Sequence, residues 1–202
     1  MIDRYAIVWL RPAFVAGARV LARFGTKADH VTLAGFAIGV VGAVAIASRH
    51  YPLGLGVLAI SRICDGLDGA LARLSVPTDR GGFLDISLDF LFYASVPLAF
   101  AVADPGANAL PAAVLLTTFI GATTTFLAFA AVAAQRGLKS EAYPAKGFYY
   151  LGGLAEATET LTVFALMCLW PAHFPTLAYF FAALCAVTTL TRLLAGWQAF
   201  SR

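Results

Sequence analysis

The sequence predicts an all-α integral membrane protein: six transmembrane helices preceded by an N-terminal amphipathic helix lying in the headgroup interface. Of its 202 residues, 60% are hydrophobic and only 12% are charged, which leaves very little polar surface for a soluble domain. Apolar runs such as "VTLAGFAIGVVGAVAIAS" (31–48) and "ALPAAVLLTTFIGATTTFLAFAAVAA" (109–134) are long enough to cross a hydrocarbon core as helices. They lack the alternation of polar and apolar residues that a membrane β-barrel requires.

The elements follow in order. Residues 1–27 mix Arg11, Arg19 and Arg23 with Phe14, Val15, Val20 and Leu21, the basic-plus-apolar pattern of an interfacial helix. The same arginines interrupt any signal-peptide core, so no cleavable leader is expected. Spans are predicted over 31–48, 54–74, 82–103, 109–134, 150–170 and 175–199. The connections "RHYPLG", "SVPTDRGG", "DPGAN", "EAYPAKG" and "PAHFP" carry the glycine and proline of interhelical turns. With no repeat or linker, residues 1–202 form a single domain, the bundle proper occupying 31–199. Cys64, Cys168 and Cys185 stand far apart in apolar runs and read as packing residues.

Charge sets the orientation. Arg4, Arg11, Arg19, Arg23 and Lys27 precede the first span. Arg73 and Arg80 follow the second, Arg136, Lys139 and Lys146 the fourth, and Arg202 the sixth, while the alternate connections hold only Arg49. Basic residues favour the cytoplasm, which places both termini there. The net charge of +3 therefore reflects topology and attraction to anionic membrane lipids, and no nucleic-acid partner is expected.

Against this apolar background, "CDGLDGALARLSVPTDRGGFLDISLDF" (64–90) sets Asp65, Asp68, Asp85 and Asp89 inside the second and third spans. Ionisable residues within a membrane are costly and mark functional sites. The pairs are spaced i, i+3 and i, i+4, so each occupies one helix face. At 1.5 Å per residue both lie roughly 5 to 13 Å from the cytoplasmic ends of antiparallel neighbours, where they can converge. Four facing carboxylates repel unless cations neutralise them. All-oxygen ligands suit Mg²⁺, Mn²⁺ or Ca²⁺, and two such ions would satisfy four carboxylates. Hard ions with open positions bind phosphate oxygens, which points to diphosphate chemistry. Gly69 and Ala72 share the face of Asp65 to within about 40° and leave room for a ligand. Arg73 adds a cation able to grip phosphate.

The pattern Asp65-x-x-Asp68-Gly69-x-x-Ala72-Arg73, then Gly81-x-x-x-Asp85-x-x-x-Asp89, resembles the signature of the CDP-alcohol phosphatidyltransferase family. Seven residues separate Arg73 from Gly81, one fewer than in many members. Upstream, "ADHVT" (28–32) stands where many members read Pro-Asn-x-x-Thr, so Thr32 matches while Ala28 and Asp29 depart. The resemblance implies an enzyme that moves a phosphatidyl group from a CDP-linked lipid, such as CDP-diacylglycerol, to an alcohol acceptor, releasing CMP. It implies two divalent cations, Mg²⁺ or Mn²⁺, on Asp65, Asp68, Asp85 and Asp89, with Asp89 as catalytic base. It further implies nucleotide and lipid contacts through Thr32, Asp65, Asp68, Gly69, Ala72, Arg73 and Gly81, and a homodimer. The expected location is a bacterial inner membrane, with the site toward the cytoplasm.

Two features lie outside the signature. Glu156 and Glu159, i, i+3 in the fifth span, are placed to bind an acceptor's amine or hydroxyls, or to pair with Arg62 or Arg192. Gly35, Gly39 and Gly42 permit close helix approach, including a contact between protomers. The rival functions are an aspartate-rich prenyltransferase, which lacks the Gly-x-x-Ala-Arg step, and a small cation transporter, whose broken mid-bilayer helices are not evident. The charge bias yields a test: on a cysteine-free background, cysteine at position 50 should label from the outside and cysteine at position 80 should not. The opposite pattern would reverse the orientation.

Overall fold

The computed structural model describes residues 3–137 and 156–201. All seven α-helices among them were anticipated: α1 (Asp3–Arg23), α2 (Ala28–Ala47), α3 (Tyr51–Leu74), α4 (Asp79–Ala103), α5 (Pro105–Gln135), α6 (Ala157–Leu169) and α7 (Phe174–Phe200), the last preceded by a 3₁₀ turn at Pro171–His173. Four stretches among the described residues are long and apolar enough to cross a membrane: α2, α4, α5, and α7 with its preceding turn. The 24 residues of α3 are sufficient in length, but Arg62, Asp65, Asp68 and Arg73 make its second half polar. The 13 described residues of α6 rise only about 20 Å. The expected start of that span near Tyr150 lies outside the described residues, as do Lys139, Lys146 and Arg202.

Short connections are sealed by side chains that answer the unpaired groups of the helix ends. At the junction of α4 and α5, the Asp104 side chain accepts from Ala107 N at 3.2 Å, and Asn108 Nδ2 donates to Phe100 O at 2.9 Å. Arg49, in the left-handed region at φ 63°, donates from Nε to Ala103 O at 2.8 Å. The only basic residue of the alternate connections thus serves as a cap for α4, where positive charge is favoured by the helix dipole. At the opposite end, Thr78 caps α4 by accepting from Gly81 N at 3.1 Å. Arg192 of α7 donates to Ala122 O of α5 at 2.9 Å.

The main core joins α2 through α7 around Phe92, Phe100, Leu115, Phe164, Phe174 and Phe181, each almost fully buried. Phe100 stacks on Phe174 with centroids 4.5 Å apart. Cys168 and Cys185 are buried within this core as free thiols, consistent with a packing role. A second cluster fastens α1 to α2 and α3: Phe14, Ala18 and Leu21 meet Val31, Leu67, Ala70 and Leu71, while Arg11, Arg19 and Arg23 remain exposed. The amphipathic reading of α1 is borne out. Phe14 covers Gly66, where a Cβ would lie only 2.5 Å from the ring, so α1 braces α3 from behind the aspartates.

The small-residue stripe of α2 faces inward. A Cβ on Gly35 would stand 2.8 Å from Cys64 Cβ. On Gly39 it would meet Phe92 at 2.7 Å and Ser61 Oγ at 2.9 Å, and on Gly42 it would meet Leu58 at 2.8 Å. All three glycines are buried against α3 and α4 of the same chain, so the stripe is consumed within the protomer and offers no contact between copies. The close approach generates a prediction. Gly39→Ala should destabilise the protein by about 1–3 kcal/mol through overpacking, whereas Gly56→Ala, with nothing within 4 Å, should not. A Gly39→Ala melting temperature in detergent no lower than that of Gly56→Ala would count against the tight contact.

Candidate active site

The cytoplasmic halves predicted for α3 and α4 supply opposing walls of a narrow cleft, and α2 supplies the third. Its lining includes Thr32, Gly35, Ser61, Arg62, Asp65, Asp68, Asp85 and Asp89. All four aspartates therefore converge, because two antiparallel helices carry them at matching distances from a short turn. Asp68 is deepest, 3% exposed, and its Oδ2 is buried with no hydrogen-bond partner among the described residues. Asp65 and Asp89 are half-buried, and Asp85 is exposed.

Arg62 stands among them. Its Nη1 donates to Asp89 Oδ1 at 2.6 Å and to Asp65 Oδ1 at 3.4 Å, and its Nη2 donates to Ser61 Oγ at 3.3 Å. The guanidinium carbon lies 3.5 Å from the centroid of the Phe92 ring, a cation–π contact. Ser61 is itself fixed, donating to Gly35 O at 2.7 Å. The chain thus brings a positive charge of its own to the aspartates, beside the cations expected there. No three His, Cys, Asp or Glu side chains among the described residues are grouped closely enough, as they stand, to hold a metal ion. The sequence offers Arg62 as a partner for Glu156 or Glu159, and the structure gives it to Asp65 and Asp89 instead. Its position three residues before Asp65, on the same helix face, was the available signal.

The remaining signature residues lie beside the cleft rather than in its lining. Gly69 leaves space next to the Arg73 guanidinium, whose Nη1 would be 3.4 Å from a Cβ there. Ala72 is half-buried and Arg73 exposed at the end of α3. Gly81 opens α4: a Cβ would lie 3.1 Å from Thr78 Oγ1 and 3.2 Å from Asp29 Oδ1. Asp29 also accepts from Arg80, at 2.9 Å from Nε and closer still from Nη2. The residue that departs from the family's upstream motif thus ties the start of α2 to the start of α4.

The two glutamates are elsewhere. Glu156 is buried but extended (φ −109°, ψ −178°), forming the N-cap of α6 instead of lying inside a span, and Glu159 falls in the first turn. Both glutamates thus sit at a helix N-terminus, where negative charge is favoured. Neither is among the residues lining the aspartate cleft.

The described residues thus form an all-helical bundle with an acidic cleft on two antiparallel helices. A model of CDP-alcohol phosphatidyltransferase matches residues 25–191. The chain is 50% identical over 197 residues to inner membrane protein YnjF of Escherichia coli strain K12, covering 98% of this chain and 96% of that one. It is 43% identical over 70 residues to archaetidylinositol phosphate synthase of Methanothermobacter thermautotrophicus, covering 34% and 36% of the two chains. Its fold is similar to that of Mycobacterium tuberculosis phosphatidylinositol phosphate synthase with CDP-DAG bound, with TM-score 0.72, 24% identity and coverage of 91% and 93%. The same enzyme in complex with manganese and citrate gives TM-score 0.68, 24% identity and coverage of 91% and 88%. The chain belongs to the CDP-alcohol phosphatidyltransferase family, integral membrane enzymes of phospholipid synthesis that transfer a phosphatidyl group from a CDP-linked lipid to an alcohol. The prenyltransferase and transporter readings are set aside.

The Asp29–Arg80 pair has a measurable signature. Because Arg80 is 74% exposed, a double-mutant cycle with Asp29→Ala and Arg80→Ala should give a coupling below about 1 kcal/mol in unfolding. A coupling of several kcal/mol would mean that the pair is a principal support of the bundle.

Proposed function

We propose that the chain binds a CDP-diacylglycerol-type lipid at the aspartate cleft and transfers its phosphatidyl group to an alcohol, with CMP leaving. The observation that carries this reading is the convergence of all four signature aspartates on one cleft, with Asp68 Oδ2 buried and unpartnered there. An orphaned carboxylate oxygen in an all-oxygen donor set fits a hard divalent ion, Mg²⁺ or Mn²⁺. Asp65, Asp68, Asp85 and Asp89 would hold two such ions. When bound, these ions would polarise phosphoryl oxygens and offset their charge.

The chain's own residues have separable roles. Thr32 lines the cleft beside the aspartates and presents its hydroxyl to the nucleotide. Gly69, Ala72 and Gly81 keep the approach free of side-chain bulk, and Arg73 holds a phosphate by parallel hydrogen bonds. Asp89 accepts the proton of the attacking alcohol as the new oxygen–phosphorus bond forms and the bond to CMP breaks. General-base assistance of this kind contributes about 10²- to 10⁴-fold. Glu156 and Glu159, at the start of α6, contact the acceptor from outside the aspartate cleft. The site faces the cytoplasm of a bacterial inner membrane, as the charge bias favours, and the enzyme works as a homodimer.

Release of CMP from CDP-diacylglycerol, assayed against a panel of alcohols, tests the reaction and identifies the acceptor. Turnover should vanish in chelator and return with Mg²⁺ or Mn²⁺, and undiminished turnover after thorough chelation would exclude the metal role. Asp68→Asn should abolish activity while leaving the melting temperature close to wild type. Asp89→Asn should retain lipid binding and lower the single-turnover rate by about 10²-fold or more if Asp89 is the base. A parallel loss of nucleotide affinity would make it chiefly a ligand, and near-normal turnover would end both roles.

A further inference from the structure

Arg62 lies one helical turn ahead of the signature and is built into place. Phe92 covers the face of its guanidinium at 3.5 Å, and Ser61, 0% exposed, receives Nη2. Gly39 makes room for both Phe92 and Ser61 at once. The group so positioned commits its Nη1 to Asp89 and Asp65 together, while its Nε is buried with no acceptor among the described residues. Three elements therefore cooperate to hold one cation against two of the four carboxylates. A side chain that only balanced surface charge would not require this enclosure.

We infer that Arg62 is a resident counter-ion that exchanges with divalent metal at Asp89, thereby setting the metal affinity of the cleft and holding it assembled before metal arrives. This rests on the reading of the aspartates as metal ligands. Asp89 Oδ1 accepts from Arg62 at 2.6 Å, a charge-assisted bond of the stronger kind. A lone pair directed at Nη1 is not available to a metal ion, so loading requires that bond to open. The fixed positive charge also opposes an arriving dication. Without metal, the same charge stabilises carboxylates that would otherwise repel one another in a medium of low dielectric constant. Arg62 is thus a positioning residue that acts through Asp89 and Asp65.

The experiment is Mn²⁺ binding to the full chain in detergent, followed by loss of the free-ion electron paramagnetic resonance signal, with unfolding temperatures measured in parallel. A single charge at 4–6 Å shifts an ionic equilibrium by about 1 to 3 log units. Arg62→Gln should therefore bind Mn²⁺ about tenfold more tightly or better. Arg62→Lys keeps the charge but loses the planar fork, and should fall between Gln and wild type. The metal-free Arg62→Gln protein should melt below metal-free wild type, and saturating Mn²⁺ should narrow the gap. If Arg62→Gln does not fold, Arg62→Lys still decides, since tighter Mn²⁺ binding than wild type is required of it. Unchanged or weaker binding in these variants, with wild type still binding Mn²⁺, overturns the exchange role alone. Absence of Mn²⁺ binding in wild type, or binding that survives Asp68→Asn, overturns the metal reading on which it depends.

Discussion

Placing four carboxylates within a bundle that has little water constrains much of this fold. Each carboxylate loses hydration that a low-dielectric surrounding does not replace, and each repels the others. The arrangement around Asp65, Asp68, Asp85 and Asp89 answers that burden locally. Arg62 brings a positive charge to Asp65 and Asp89, and the cleft leaves Asp85 exposed at its edge. Asp68, the most enclosed of the four, is the one with a buried unpartnered oxygen. Unmet bonding capacity in the wall of a cleft has chemical use, whereas the same atom in a packed core would only destabilise it.

Positioning Arg62 depends on how closely α2 approaches α3 and α4. Gly39 admits Phe92 and Ser61 to the same space, and Gly35 accepts the Ser61 hydroxyl at its carbonyl. From behind, α1 supports α3 through Phe14 over Gly66, between the two signature aspartates of that helix. Close packing of small residues is a principal source of helix association in membranes, where lipid tails remove most of the hydrophobic drive. Here that packing also carries the electrostatics, because a displaced Phe92 would move the ring on which the guanidinium rests.

The far end of the bundle solves a different problem. Caps from Asp104, Asn108 and Arg49 close the junction around α4 and α5, and stacked Phe100 and Phe174 lie in the core beside it. This end is fixed by hydrogen bonds and apolar contact. The site end is set by balanced charge and small residues, the features a ligand can exploit. Asp29 and Arg80 join α2 to α4 at that end by an ion pair in which Arg80 is exposed and Asp29 is half-buried.

Much of this was legible in the sequence because it depends on local periodicity. Apolar runs, turn residues and basic clusters specified helices whose observed limits lie within a few residues of expectation, except that α6 begins at Ala157 instead of near residue 150. The i, i+3 and i, i+4 spacings were sufficient to bring the aspartates to one cleft, since neighbouring antiparallel helices must place equal distances from their turn at equal depth. Which way each helix turns about its axis is not a local property, and there the tertiary structure decided. It directed the α2 glycines inward, made Glu156 an N-cap, and gave Arg62 to Asp65 and Asp89 instead of to the glutamates. Those outcomes depend on which faces of α2, α3 and α4 fit together, and that fit is settled by side-chain volume across helices far apart in sequence.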